Sequence, residues 1–212
     1  MNKFYFTLLF VLFCIPLNAQ RNLFNQRYDE ISKDFNIDGN ELKVYQNQGK
    51  LIIFNEEKHK TKLAKKLLKS RRGKTRTIKR AYYNLEYEVI GKEKIPHYRV
   101  RYIFIDKNKF ETNEAFNAYL KKIRSLLDDV TFKSIAMQYS MDYQQNVGGD
   151  SGWFKQGKTH SEFFKKATAS NKLADEIFEF EVPEINAYYF VKKTHSKQDI
   201  KEVLVVETKV KK

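Results

Sequence analysis

Apolar positions along this chain fall into two periods. From Arg99 to Ile105 they alternate, with Val100, Tyr102 and Phe104 on one face and Ile103 and Ile105 on the other, as in a strand covered on both sides. Ile177 to Val182 and Ala187 to Lys193 also read as strands, with Pro183 in the connection. Between the first of these strands and the last two the period lengthens. Phe116, Tyr119, Leu120, Ile123, Leu126 and Leu127 follow Thr112, and Phe132, Ile135, Ala136 and Tyr139 follow Thr131, which predicts two helices, each opened by a threonine that caps it. Ser161 opens a third, shorter helix carrying Phe163, Phe164 and Ala167.

Upstream the pattern is weaker. Asp38-Gly39-Asn40 reads as a turn, and Leu42 to Tyr45 and Lys50 to Phe54 as the strands of a small hairpin. Glu56 to Ser70 reads as a helix with a narrow stripe of Leu63, Ala64, Leu67 and Leu68 on a lysine-rich cylinder. Ala81 to Ile90 is a further strand, Gly91 to Ile95 a turn, and a domain boundary is expected near residue 95. The expected organisation is a leader over residues 1–19, a basic N-terminal extension over 20–95, a main domain over 96–195 and a charged C-terminal tail over 196–212.

Charge and the N-terminus narrow the partners. The formal net charge of +14 attracts polyanions or acidic proteins. Lys3 precedes an apolar run from Phe4 to Leu17, and Asn18-Ala19-Gln20 follows, the layout of a cleaved secretory signal. The run is short for a bilayer span, so no transmembrane segment is expected after cleavage. The sole cysteine, Cys14, lies in that run, which leaves the mature chain without disulfides or thiol chemistry. A periplasmic or extracellular location follows, and nucleic acid is not the expected partner. Lys58 to Arg80, about half Lys or Arg, is either a solvated helical face or a docking surface for an anionic envelope. No His/Cys/Asp/Glu spacing suggests a metal, and no cofactor is expected.

Half of the eight glycines fall between Gly148 and Gly157, marking a tight turn that needs positive φ or close backbone approach. Gly148-Gly149-Asp150-Ser151-Gly152-Trp153-Phe154 resembles the Gly-Gly-Asp-Leu-Gly-Trp-Phe signature of the parvulin-type (PpiC-like) peptidyl-prolyl cis-trans isomerases, and the order of strands and helices from about Arg99 to about Thr194 is similar to theirs. The resemblance implies an α+β fold: a four-stranded antiparallel sheet surrounded by helices, here preceded by a small basic α/β extension. It also implies the site. Tyr102 and Tyr189 stand where the family has its paired histidines, and Asp142 where it has Cys or Asp. Phe163 matches the proline-pocket phenylalanine, Phe154 adds a second apolar wall, and Ser151 and Thr159 occupy apolar pocket positions.

Isomerising an X-Pro bond needs no nucleophile, because the barrier of roughly 18–20 kcal/mol is conjugation lost on twisting the amide. An apolar cup for the ring and polar groups that favour the twisted state are sufficient. Tyrosine hydroxyls both donate and accept, so Tyr102, Tyr189 and Asp142 can form the polar floor. The residues also allow a plainer reading, with the tyrosines as core aromatics on neighbouring strands and Asp142 as a turn residue. Two functions remain open: an exported isomerase that helps secreted or outer-membrane proteins fold, and a chaperone on the same scaffold that grips unfolded, proline-containing clients without catalysis.

Overall fold

The computed structural model describes residues 28–169 and 171–212. The expected leader over residues 1–19 lies outside them. The chain divides into two units: residues 28–52, Arg72–Gly91 and Leu204–Lys212 in the first, Ile53–Arg71 and Lys92–Val203 in the second. Neither unit is one continuous stretch, so no single boundary near residue 95 separates them.

The first unit starts with helix α1, present through residue 35, and α2, Gly39–Gln48. The expected strand at Leu42 to Tyr45 is therefore helical. Asp38, read as a turn residue, is the N-cap: its Oδ1 accepts from the N–H groups of Asn40 at 2.8 Å and Glu41 at 3.3 Å, which satisfies donors the first helical turn leaves open. Strand β1 follows at Lys50–Asn55, close to the expected Lys50 to Phe54. Strands β2, Thr75–Lys79, and β3, Tyr83–His97, pair antiparallel from Thr75 with Glu88 to Lys79 with Asn84.

β3 runs through Gly91 and Pro96 to His97 without the expected turn at Gly91 to Ile95. Tyr87, Val89, Ile90 and Gly91 itself are buried, and the glycine, packed against Phe35 and Ile37, stays in extended backbone. The expected tail is also a strand, β7, Gln198–Lys211, with Ile200 and Val203 to Val206 buried. Its lysine-rich end conceals an apolar run strong enough to be a core strand. The sheet order is β1-β7-β3-β2, and the division between units falls inside β1, β3 and β7.

In the second unit, helix α3 covers only Lys62–Lys69, shorter than the expected Glu56 to Ser70. Asn55 is the cause: its Oδ1 accepts from the N–H groups of Glu57 and Lys58 at 2.9 and 3.1 Å, so residues 56–60 form a turn and Thr61 caps the helix instead. Ala64, Leu67 and Leu68 are buried and the lysines of α3 face solvent, so only charge is left exposed on this helix.

The second sheet has the order β4-β6-β5, with β4 at Val100–Asp106, β5 at Ile177–Val182 and β6 at Ala187–Lys193, all antiparallel. A fourth strand, which the sequence reading expected here, is reduced to two isolated bridges, Tyr98 with Phe154 and Arg101 with Asp150. The α+β architecture holds, with α4 at Asn113–Leu126, α5 at Phe132–Tyr139 and α6 at Ser161–Ala167. Thr112 and Thr131 cap as expected, accepting from Ala115 and Ser134 N–H. The alternation in β4 sorts the core. Ile103, Ile105 and Phe190 pack with Phe116, Leu120, Ile123 and Ile135 of α4 and α5, while Val100 and Tyr189 face Phe154, Phe163 and Ala167. Each fully buried aliphatic contributes roughly 1.5–3 kcal/mol, so this face is a stiff base for whatever the other presents.

Candidate functional site

Strand register brings the tyrosines together. Phe104 is the direct partner of Tyr189 across β4 and β6, and Tyr102 pairs with Val191, so Tyr102 and Tyr189 are diagonal neighbours on one face. Their ring centroids are 5.8 Å apart at 69°. Phe163 of α6 lies against both, 5.4 Å from Tyr102 and 4.8 Å from Tyr189, with Phe154 at 6.2 Å from Phe163. These offset and edge contacts suit ring quadrupoles and fix each ring by its neighbours.

The glycine turn is shaped by β4. Gly148, Gly149 and Gly152 have φ of 65°, 75° and 61°. The Tyr102 N–H donates to the Gly149 carbonyl at 2.9 Å, and the Val100 N–H donates to Ser151 Oγ at 3.0 Å. Ser151 in turn donates its hydroxyl to the Gly152 carbonyl at 2.8 Å. Ser151 thus lines the cleft with a hydroxyl already engaged in holding the turn.

Asp150, for which the sequence reading had no role, is clamped by Arg99 at 2.9 and 2.6 Å, with Arg101 at 3.8 Å. The Arg99 hydrogen bonds hold its carboxyl below the usual range despite partial burial. An Asp one residue after two glycines, with arginines at 99 and 101, was the available signal.

Asp142 reaches the site at Tyr102. Ser140 accepts from the Phe104 N–H at 3.0 Å and donates to Asp142 Oδ1 at 2.9 Å, which fixes the carboxylate just after α5. Burial, then the charge of Asp142 and a hydrogen bond to it, push the Tyr102 hydroxyl far up from the ordinary tyrosine value. Burial and the same charge push Tyr189 up to about 12. Both hydroxyls are therefore protonated donors through the neutral range. Asp142 itself opens into a neighbouring depression with Tyr119, Tyr139 and Tyr143.

Tyr102, Tyr189, Phe154, Phe163, Ser151 and Thr159 line one cleft of about 370 Å³. Six of the seven expected site residues therefore meet there, and the seventh, Asp142, touches it through Tyr102. Lys58, Gln144, Lys158 and His160, none of them among the expected site residues, also line the cleft. Lys58 comes from the turn before α3, where no local pattern announces it. Trp153 of the glycine signature also lines the cleft, and its ring centroid lies 5.4 Å from that of His195. Among the described residues no group of three or more His, Cys, Asp or Glu could hold a metal. No described helix is long and apolar enough to cross a membrane.

The family described as PPIC-type PPIASE domain matches residues 83–197. Solved structures are similar as well, three of them as follows. PrsA from Bacillus subtilis has 24% identity and a TM-score of 0.37 over 47% of this chain and 35% of that one. A PpiC-type peptidyl-prolyl cis-trans isomerase domain has 22% identity and a TM-score of 0.40 over 50% and 94%. The peptidylprolyl isomerase PrsA from Bacillus anthracis has 27% identity and a TM-score of 0.38 over 51% and 45%. The alignment with the B. subtilis protein takes in about a third of that protein's length. No curated protein matches the chain.

Proposed function

From the premise that this chain belongs to the PPIC-type peptidyl-prolyl isomerase family, we propose that it isomerises X-Pro bonds in polypeptide clients on a platform of two tyrosine hydroxyls. The observation that carries this is the packing of Tyr102, Tyr189 and Phe163 around one cleft, with ring centroids 4.8 to 5.8 Å apart. Phe163 and Phe154 hold the proline ring by apolar contact. Asp142 accepts the Tyr102 proton in a hydrogen bond and so orients that ring. Tyr189 donates to the amide nitrogen as the bond twists, when that nitrogen loses conjugation with the carbonyl and becomes a better acceptor. Such a donor counts only as far as it binds the twisted state more tightly than the planar one, and each 1.36 kcal/mol of that difference is about tenfold in rate.

The N-terminal apolar run supports an exported enzyme that assists secreted or outer-membrane proteins. The exposed lysines of α3 support a secondary, salt-sensitive attraction to anionic envelope surfaces. The alternative chaperone reading uses the same cleft for grip alone.

Magnetisation exchange on a proline peptide separates them. The wild type is expected to raise the cis-trans exchange rate, and Tyr189→Phe, which keeps ring volume, to lower the enzymatic part by about tenfold with the melting temperature nearly unchanged. Exchange at the uncatalysed rate, together with suppressed aggregation of an unfolded client, would establish the chaperone instead.

A further inference from the structure

The prolyl-peptide reading leaves one cation unexplained. Lys58 lines the cleft although it precedes the family-matched residues 83–197. Its turn is built, not slack. Besides the two Asn55 caps on Glu57 and Lys58, the Asn55 N–H donates to His59 Nδ1 at 2.8 Å, and the His59 N–H returns to the Asn55 carbonyl at 2.9 Å. Asn55 is itself buried and donates through Nδ2 to Glu202 at 2.7 Å. The backbone that carries Lys58 is therefore anchored in the interior.

The charge around it is one-sided. Lys58 and Lys158 line the cleft, and no carboxylate does. Carboxylates on the segments that supply the lining are engaged elsewhere: Glu57 with Lys60 at 3.4 Å, Asp150 with Arg99 at 2.6 Å, and Glu162 with Lys166 at 3.2 Å. Asp142 is bound by Ser140 and faces the neighbouring depression, and Glu56 is exposed on the Lys58 turn without lining the cleft. Among the described residues the Lys58 ammonium has no ion-pair partner. The Asp142 charge acts on the floor of the cleft through Tyr102 and Tyr189, while the exposed Lys58 puts positive potential on the lining, where the client lies.

We propose that Lys58 is a specificity-determining residue that selects clients bearing an aspartate or glutamate side chain within two residues of the proline. This rests on the cleft being the prolyl-peptide site, and it names the class of sequence the site takes.

The test uses the full chain and peptides that differ only in one residue, Glu, Ala or Lys, placed in turn at the two positions before and the two after the proline. Equilibrium binding and exchange rate are both read. At one position the Glu peptide is expected to exceed the Lys peptide by about fivefold in low salt, as for a single solvent-accessible ion pair, and the ratio to shrink as salt rises. Lys58→Gln should bring that ratio to about one, and Lys58→Glu should invert it. A ratio near one at every position in the wild type, or a ratio that survives Lys58→Gln, overturns the proposal. Glu-dependent binding that Lys58→Gln abolishes, with no acceleration of exchange, sustains it and removes the catalytic reading.

Discussion

Gly149→Ala is expected to destabilise the protein by about 3 kcal/mol or more, whereas Gly152→Ala, in the same turn, costs only about 1 kcal/mol. Both glycines have positive φ, 75° and 61°, so both alanines carry the left-handed penalty of roughly 1–2 kcal/mol. What differs is the space. A Cβ on Gly149 would come within 2.2 Å of the Tyr102 carbonyl oxygen and 3.0 Å of the Ala136 methyl, while nothing lies within 4 Å of one on Gly152. The colliding atom is backbone in the central part of β4, which cannot step aside without leaving its register with β6. The turn must move instead, losing the Tyr102 N–H to Gly149 hydrogen bond, worth about 1 kcal/mol. Denaturant unfolding of both variants measures the difference. Equal losses would show that the close approach to Tyr102 is not what demands glycine.

The second large effect lies in a buried ionic cluster of the same unit. Glu202 of β7 accepts from Lys155 Nζ at 2.6 Å and from Asn55 Nδ2 at 2.7 Å, with His97 Nε2 at 3.3 Å. The side chains of Glu202 and Lys155 are 5% and 8% exposed. Glu202→Ala leaves the Lys155 ammonium buried without its carboxylate and is expected to cost about 3–5 kcal/mol. Replacing both, as in Glu202→Leu with Lys155→Met, should recover part of that loss, since an apolar pair does not strand the ammonium although Asn55 Nδ2 still loses its acceptor.

The cluster also sets an acid limit. Burial raises the Glu202 pKa, but the hydrogen bonds from His97, Lys155 and Asn55 outweigh it and bring the carboxyl down to about 2 from 4.5. A depressed folded-state value means the stabilisation is complete above about pH 4.5 and is lost as pH falls from there towards 2, amounting to about 3 kcal/mol. The stability gap between wild type and Glu202→Gln should therefore narrow over that window. A gap that stays constant from pH 5 to pH 2 would contradict the assignment.

Lys155 directly follows Phe154, and Asn55 caps the turn that carries Lys58. One buried carboxylate thus tethers two segments that line the cleft. Neither Asn55 nor Glu202 belongs to the family-matched residues, so this chain braces its site with strands that the family pattern does not include.

Local signals carried the central domain. The two-faced alternation of Val100 to Ile105, the threonines that open α4 and α5, and the glycine cluster each encode a short-range preference that long-range packing did not override. The signals failed where two local readings competed. Asp38 serves a turn and a helix cap equally well, and only the burial of Leu42 selects the helix. Gly91 permits a turn, but its own burial against Phe35 and Ile37 keeps it extended. In β7 a lysine-rich end concealed the core strand beside it.

Sequence by itself determined the elements of this protein from Val100 to Lys193, the sharp turn at Gly148 to Gly152, and which residue types are available to twist an amide. Tertiary structure alone decided that Tyr102 and Tyr189 sit diagonally beneath Phe163, that Asp142 meets the site at Tyr102, and that Lys58 belongs to the cleft. Periodicity reports which way a side chain faces within its own strand or helix. Strand register and the pairing of buried charges join residues far apart in the chain, and they are settled by what packs together, which no local pattern contains.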